Sequence, residues 1–445
     1  MTMLAPAKIA QLRAFMRALP PALTHRIVDA AGAGDEAMGR LLAACTQDGE
    51  SYARQRFFAP LAPLSLDPAH ARPSLAHIPP AMLATVWAWM DESLAPGIVS
   101  AMRARCADPL EPVDNAGEDA LRADASRRIL TAIEEVKDDQ RATKQLRHRL
   151  GVSDFRAVRD VATILKAAPV LRAALHDLPD RIGEFSDEFL QVLRDRYEEA
   201  CRTEPDAGVW FLYLVMARLS RPWAILRVFE KIARRDDDFL LSRTDVAAIG
   251  DALLEDAAFH VSGFAELPGS FEAAQEMAAA LTQFATVTVG MSREIGIRKD
   301  GGWGQQIIAL RQRASAQMEA IHAAALAQLD KTVPDPRKAL PARLILKGEA
   351  LEAAASRMEV FCTFLRLTRD DASRAAVGGA HGAVLERVHQ RLDAASETLL
   401  AQMRGGSGDA GLTERAAVVA RLMTALGQQE DAAVFLRRAA AARAA

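Results

Sequence analysis

The densest apolar run of the chain is Val209–Leu219, where Arg218 is the only charge. It is shorter than the ~20 residues a bilayer needs, so it predicts a helix buried on most sides. Pro222 interrupts the pattern. A second helix is predicted from about Ser220 or Arg221, with Ile225, Leu226, Phe229 and Ile232 on its inner face. Arg234, Arg235 and Asp236 to Asp238 mark a solvated turn. Ser242 or Thr244 is expected to cap a third helix that buries Val246, Ile249, Leu253 and Leu254. These three helices are expected to pack together at the centre of the core.

The same periodicity organises the rest. Residues 1–59 predict three short helices, separated by Pro20–Pro21 and the Gly32–Gly34 turn. Residues 60–80 hold too many prolines for helix and predict an ordered strap carrying Leu61, Leu64, Leu66, Leu75 and Ile78. Met82–Met102 gives one or two helices with a break at Pro96–Gly97, and 107–117 reads as a linker. A charged helix over 118–150 is followed by a pair interrupted at Pro169 and Pro179. Beyond Ser270 the period lengthens into four helices: Phe271 to about Ile297, Gly304 to about Lys331, Pro341 to about Arg369 and Ser373 to about Arg404. Short connections between helices of similar length predict an antiparallel bundle. The GGSGDAG stretch (405–411) is a joint before a last hairpin. The expected fold is therefore all-α: an irregular array of solenoid-like hairpins followed by a long-helix antiparallel bundle. The expected domains are 1–110 with its strap, 118–268, 269–404 and 411–445.

Composition narrows the function without fixing it. Half of the 445 residues are hydrophobic, only 5% are aromatic, and the formal charge is −3. That balance gives no global attraction to nucleic acid or anionic membrane, and no membrane insertion is expected. The four cysteines, Cys45, Cys106, Cys201 and Cys362, have no paired spacing. They predict neither a disulfide framework nor a Cys-x-x-Cys zinc site. A cytoplasmic setting follows as an expectation.

Three constellations carry chemistry. Glu-x-x-His occurs at Glu319/His322 and Glu386/His389, and positions three apart on a helix point the same way, so each pair could hold a metal ion. The order of helices resembles that of ferritin-like carboxylate-bridged proteins, which implies bridging glutamates from Glu276 or Glu294 and from Glu352 or Glu359. Against it, both pairs lie beside the apolar stripes (Ile307, Leu310, Ala314, Met318, Ile321 and Leu385, Val388, Leu392), where exposed flanks are expected. Leu150-Gly151-Val152-Ser153, after Leu146, looks like the turn of a bacterial helix-turn-helix. That resemblance implies that Gly151 ends the first helix, Ser153 caps the second, and Arg156 and Arg159 face DNA. Ala157 stands where the family places a larger apolar residue, and Asp154 and Asp160 offset the two arginines. A structural hairpin is the expectation here, and nucleic acid is not an expected partner. Finally, Trp303 between Gly302 and Gly304, beside Arg298 and Lys299, could form an exposed interaction tip, although a tryptophan in such a loop more often packs down onto the end of the bundle.

No Walker-type loop, Gly-x-Gly-x-x-Gly, Gly-x-Ser-x-Gly or His-Glu-x-x-His occurs. No cofactor is expected. The reading that remains is a helical protein that works by interaction, as scaffold, adaptor or regulator, with an unidentified protein partner.

Overall fold

A computed structural model describes residues 6–34, 36–65, 78–108, 111–228, 247–294, 297, 300–335, 337, 346–375, 378–405 and 410–444. The expectations for Leu66 and Leu75, for Phe229 through Val246, for Arg298 and Lys299, and for most of the GGSGDAG stretch lie outside the described residues. The fold is all-α. Among the described residues there is no strand, only an isolated bridge between Ile182 and Leu219. The chain divides into two compact units, 1–232 and 233–445.

In the first unit, α1 (Pro6–Ala18), α2 (Pro21–Gly34) and α3 (Glu36–Thr46) form a small cluster around Met16, Leu41, Leu42 and Cys45. α4 (Gly49–Phe57) runs into a 3-10 helix at Ala59–Leu64, where proline blocks a regular helix but allows the tighter turn. Leu61, Leu64 and Ile78 are all fully buried, and the Ile78 amide donates to the Leu64 carbonyl at 3.0 Å. The two ends of the strap are thus tied into the core.

α5 (Pro80–Trp89) and α6 (Pro96–Arg105) both begin on proline, whose missing N–H costs nothing in a first turn. A π-helical turn at Met90–Leu94 joins them. The charged stretch forms two helices rather than one. α7 (Asn115–Val136) ends, and Asp139 caps α8 (Gln140–Leu150) by accepting from the Arg141 and Ala142 amides.

α9 (Arg156–Leu175) continues through Pro169, where the sequence pattern predicts an interruption. The proline removes one backbone bond, but Ala167, Ala168, Leu171 and Ala174 around it are all buried. Packing of this helix against α7, α11 (Ala207–Arg218) and α10 (Asp187–Thr203) outweighs a single lost bond. As the apolar run predicts, α11 buries nine of the ten positions from Ala207 to Met216, with only Val209 half-exposed. After it, Pro222–Ile225 is a 3-10 turn.

In the second unit, α12 (Ala247–Ser262) packs on α13 (Phe271–Glu294) and α14 (Gly302–Thr332). So the third helix of the central stretch finds its partners downstream, and α11 finds its own upstream. The β-rich Thr286–Val289 is helical within α13. Its threonine is accommodated because Oγ1 bonds the carbonyl one turn back, as at Thr286 to Thr282 (2.7 Å) and Thr288 to Phe284 (2.9 Å). α15 (Gly348–Leu367) packs on α13 and α14, and a short α16 (Arg369–Arg374) leads into α17 (Gly378–Arg404). The terminal pair α18 (Ala410–Ala425) and α19 (Gln429–Ala444) packs onto α17, and α18 also onto α15.

Candidate functional site

The face on which α18 meets α15 holds the clearest candidate, an open groove of about 470 Å³. Its floor comes from one side of α18, where Ala417, Ala420, Arg421 and Thr424 recur at helical spacing. Small side chains there leave room that a leucine would have filled. Phe271 at the start of α13 and Leu436 of α19 also line the groove, at 48% and 45% exposure, large values for apolar side chains of that size. The polar end is an ion-paired clamp. Arg421 Nη1 donates to both Glu352 carboxylate oxygens at 2.7 Å, and its Nε lies 2.5 Å from Glu359. The two carboxylates, Glu352 foremost, hold the guanidinium charged and raise its pKa. Arg366 Nε donates to the Ala425 carbonyl at 3.0 Å, closing the C-terminal end of α18 against α15.

Behind the helices, the second unit buries a histidine pair. His322 Nε2 lies 3.0 Å from His381 Nδ1, and His381 Nε2 lies 2.9 Å from the Leu365 carbonyl. A carbonyl only accepts, so His381 carries its proton on Nε2 and accepts at Nδ1. His322 must then donate from Nε2, which leaves its Nδ1 a bare acceptor, buried with no hydrogen-bond partner. Both rings are almost fully enclosed, at 4% and 1% exposure. Burial first, and the neighbouring His381 second, depress His322 to about 4; burial also lowers His381. The pair is therefore neutral at physiological pH and links α14, α17 and α15 by fixed tautomers. Cys362 on α15 is also enclosed, and burial raises its thiol well above the usual range, so it is no nucleophile.

The structure does not bring the two Glu-x-x-His pairs together. Glu319 is exposed and accepts from Ser315 of its own helix (3.3 Å), and Glu386 is exposed and accepts from Gln390 (2.7 Å). His322 turns to His381 instead, and His389 is half-buried. Among the described residues no three His, Cys, Asp or Glu side chains gather to hold a metal ion.

Around Gly151 the expected left-handed helix end is present, at φ 65°. Ser153 is not the cap. α9 starts at Arg156, and it is Asp154 that accepts the Arg156 amide at 2.8 Å. Arg156 and Arg159 are exposed, while Val158, Val161 and Ile164 point fully inward. Arg147 folds back on Ser153 and Phe155, and Arg149 pairs with Glu92. α8 rests on α5 and α7, and α9 rests chiefly on α7.

Trp303 is no exposed tip. It is fully buried in the first turn of α14, stacked over Gly250 of α12, with Nε1 donating to Asp251 at 3.0 Å. The glycine at 250 is what admits the indole, since a Cβ there would stand 2.1 Å from Cζ2.

Sequence reasoning missed a buried ionic cluster in the first unit. Glu118 and Arg122, at 2% and 3% exposure, pair at 2.9 Å. Arg122 also donates to the Phe57 and Arg56 carbonyls, at 3.0 and 2.9 Å, so it closes the C-terminal end of α4. Arg56 completes the cluster with its own bond to Glu118 (2.7 Å). Nearby, Glu50 receives both Trp87 Nε1 and Arg103, and Arg103 reaches Asp91 of the π-turn at 2.6 Å. The partners lie 62 and 65 positions apart, a separation that no local pattern reports. No helix among the described residues is long and apolar enough to cross a membrane. Compared with protein-family models, curated proteins and solved structures, the chain matches no family, no curated protein and no solved structure.

Proposed function

We propose that this chain is a non-enzymatic helical interaction protein, a scaffold, adaptor or regulator, and that the α15–α18–α19 groove receives an amphipathic helical segment of a protein partner. One observation carries the reading. Phe271 and Leu436 expose apolar side chains on a groove with a small-residue floor and a fixed ion pair at one end. Such a surface offers close backbone approach and two apolar anchors, the elements of helix-in-groove recognition. The clamp, one arginine between two carboxylates, gives the groove a polar end of net negative charge, which favours a partner helix with a cationic residue there.

The test is affinity purification from the native host with wild type and with Leu436→Glu, which places a charge on the groove and leaves the core untouched. A partner recovered with wild type and lost with the variant supports the reading. Recovery of no partner, together with turnover in a broad hydrolase and oxidase screen, overturns it.

A further inference from the structure

α18 has a second working face. Arg415, Val418 and Val419, offset around the helix from the groove positions, close a pocket against Leu399 and Thr398 of α17 and the turn after α14. The pocket holds about 220 Å³. Its walls are mainly apolar: Leu351, Leu399, Val418 and Val419 are each buried to 6% exposure or less. The pocket opens to solvent on one side, so its apolar walls offer area that an entering hydrocarbon would bury.

Of the polar side chains on the pocket, Gln402 is exposed, and Thr332, Thr398 and Asp335 are already engaged. Thr332 Oγ1 donates within its own helix and towards Ala354, and Thr398 Oγ1 donates to the Ala394 carbonyl at 2.8 Å. The Asp335 carboxylate accepts the Arg337 amide at 3.0 Å and has Arg391 at 3.9 Å, with Arg391 also held by Asp330. Its charge is answered. Arg415 is different: half-buried on the pocket wall, it has no hydrogen bond or ion pair among the described residues. The clamp arginine on the groove face of the same helix, Arg421, has two carboxylates by contrast. A guanidinium half-removed from water beside an apolar cavity lacks the anion that geometry of this kind accommodates.

We propose that this pocket binds a small monocarboxylate with a compact apolar body, its carboxylate on Arg415 and its hydrocarbon among Leu351, Leu399, Val418 and Val419. Size sets the class. A cavity of ~150 Å³ admits benzene, so by proportion this one admits about nine non-hydrogen atoms, the scale of a medium-chain alkanoate or a phenylalkanoate. Inorganic phosphate fits the arginine but not the walls. A longer-chain fatty acid exceeds the volume. Because the pocket occupies the face of α18 turned away from the groove, this site stands or falls independently of the partner-binding reading.

Titrating the full-length chain with octanoate by calorimetry, alongside 1-octanol and inorganic phosphate, decides the matter. Saturable octanoate binding is expected, with octanol and phosphate each weaker by roughly tenfold or more, because the charge-assisted contact and the apolar burial are both needed. Arg415→Gln should weaken octanoate by roughly tenfold and leave octanol unchanged. Ala395→Leu, which fills the pocket from α17, should abolish both; unchanged helical circular dichroism and an equal or higher melting midpoint establish that it folds. Equal binding of octanoate and octanol, full affinity in Arg415→Gln, phosphate binding as tight as octanoate, or no saturable octanoate binding would each overturn the proposal.

Discussion

At the scale of single residues, the histidine pair makes stability depend on pH in a direction the tautomers fix. His322 in the folded state is depressed to about 4 from an ordinary 6.5, so the unfolded chain takes up the proton first as pH falls. The stabilisation is fully present above about 6.5 and is lost as pH drops through the window down to about 4. A shift of that size is worth on the order of 3 kcal/mol. His381 shifts in the same direction, also through burial. Urea midpoints measured from pH 7 to 4.5 should fall in wild type, and fall less steeply in His322→Leu. Parallel slopes in the two proteins would show that the pair does not titrate as described. Trp303 supplies a second case. Gly250→Ala forces a methyl into the indole and should cost about 1–3 kcal/mol, while Trp303→Phe loses the Asp251 hydrogen bond and a smaller part of the packing. Thermal melts of both variants check this, and an unaffected Gly250→Ala would mean that the indole shifts aside freely. The glycine-flanked tryptophan was legible in the sequence as a feature, but its direction was not. Whether an indole at a helix start faces solvent or a neighbour depends on the glycine at 250, which only the fold brings opposite.

At the scale of elements, ends matter more than middles. α4 is short and polar on average, and its last carbonyls at Arg56 and Phe57 are buried, where unmade hydrogen bonds are costly. Arg122 of α7 satisfies both. Arg122→Met should destabilise the first unit by about 3 kcal/mol, since it uncaps α4 and removes one of the two cations on buried Glu118. Chemical denaturation followed by tryptophan fluorescence checks it, and a loss under about 0.5 kcal/mol, the size of an exposed pair, would contradict the account. At the end of α8, Gly151 holds φ 65°, so Gly151→Ala should cost about 1 kcal/mol with no change in helix content. Helix starts at Pro80 and Pro96 and the stop at Gly151 follow from rules a sequence displays. The continuation of α9 through Pro169 does not, because the burial of Leu171 and Ala174 beyond the proline is what carries the helix on.

At the scale of the whole molecule, the division at Ile232 and Ala233 runs through the stretch whose three helices the apolar pattern groups together. α11 completes a core with α9 and α10, and α12 completes another with α13 and α14. Residues 1–228 and 247–445, expressed apart, should each melt cooperatively with helical circular dichroism. Failure of either to fold would show that its core depends on the other. The groove lined by Ala420 and Arg421 and the pocket lined by Arg415 and Val418 both belong to the second unit and lie on different faces of one terminal helix.

What the sequence determined by itself was helix nearly everywhere, some of the starts and stops, and many of the inner faces. Propensity, caps and the 3.6-residue period are local, and they act before any tertiary contact forms. Tertiary structure decided the rest. It chose His381 rather than Glu386 or His389 as the neighbour of His322, set Arg122 on the end of α4, turned Trp303 inward, and placed Arg415 on the wall of a largely apolar pocket. Each of these depends on which distant residues share a volume. A hydrophobic stripe states that a face must be covered, but not by what, because apolar attraction has no direction and many partners satisfy it equally.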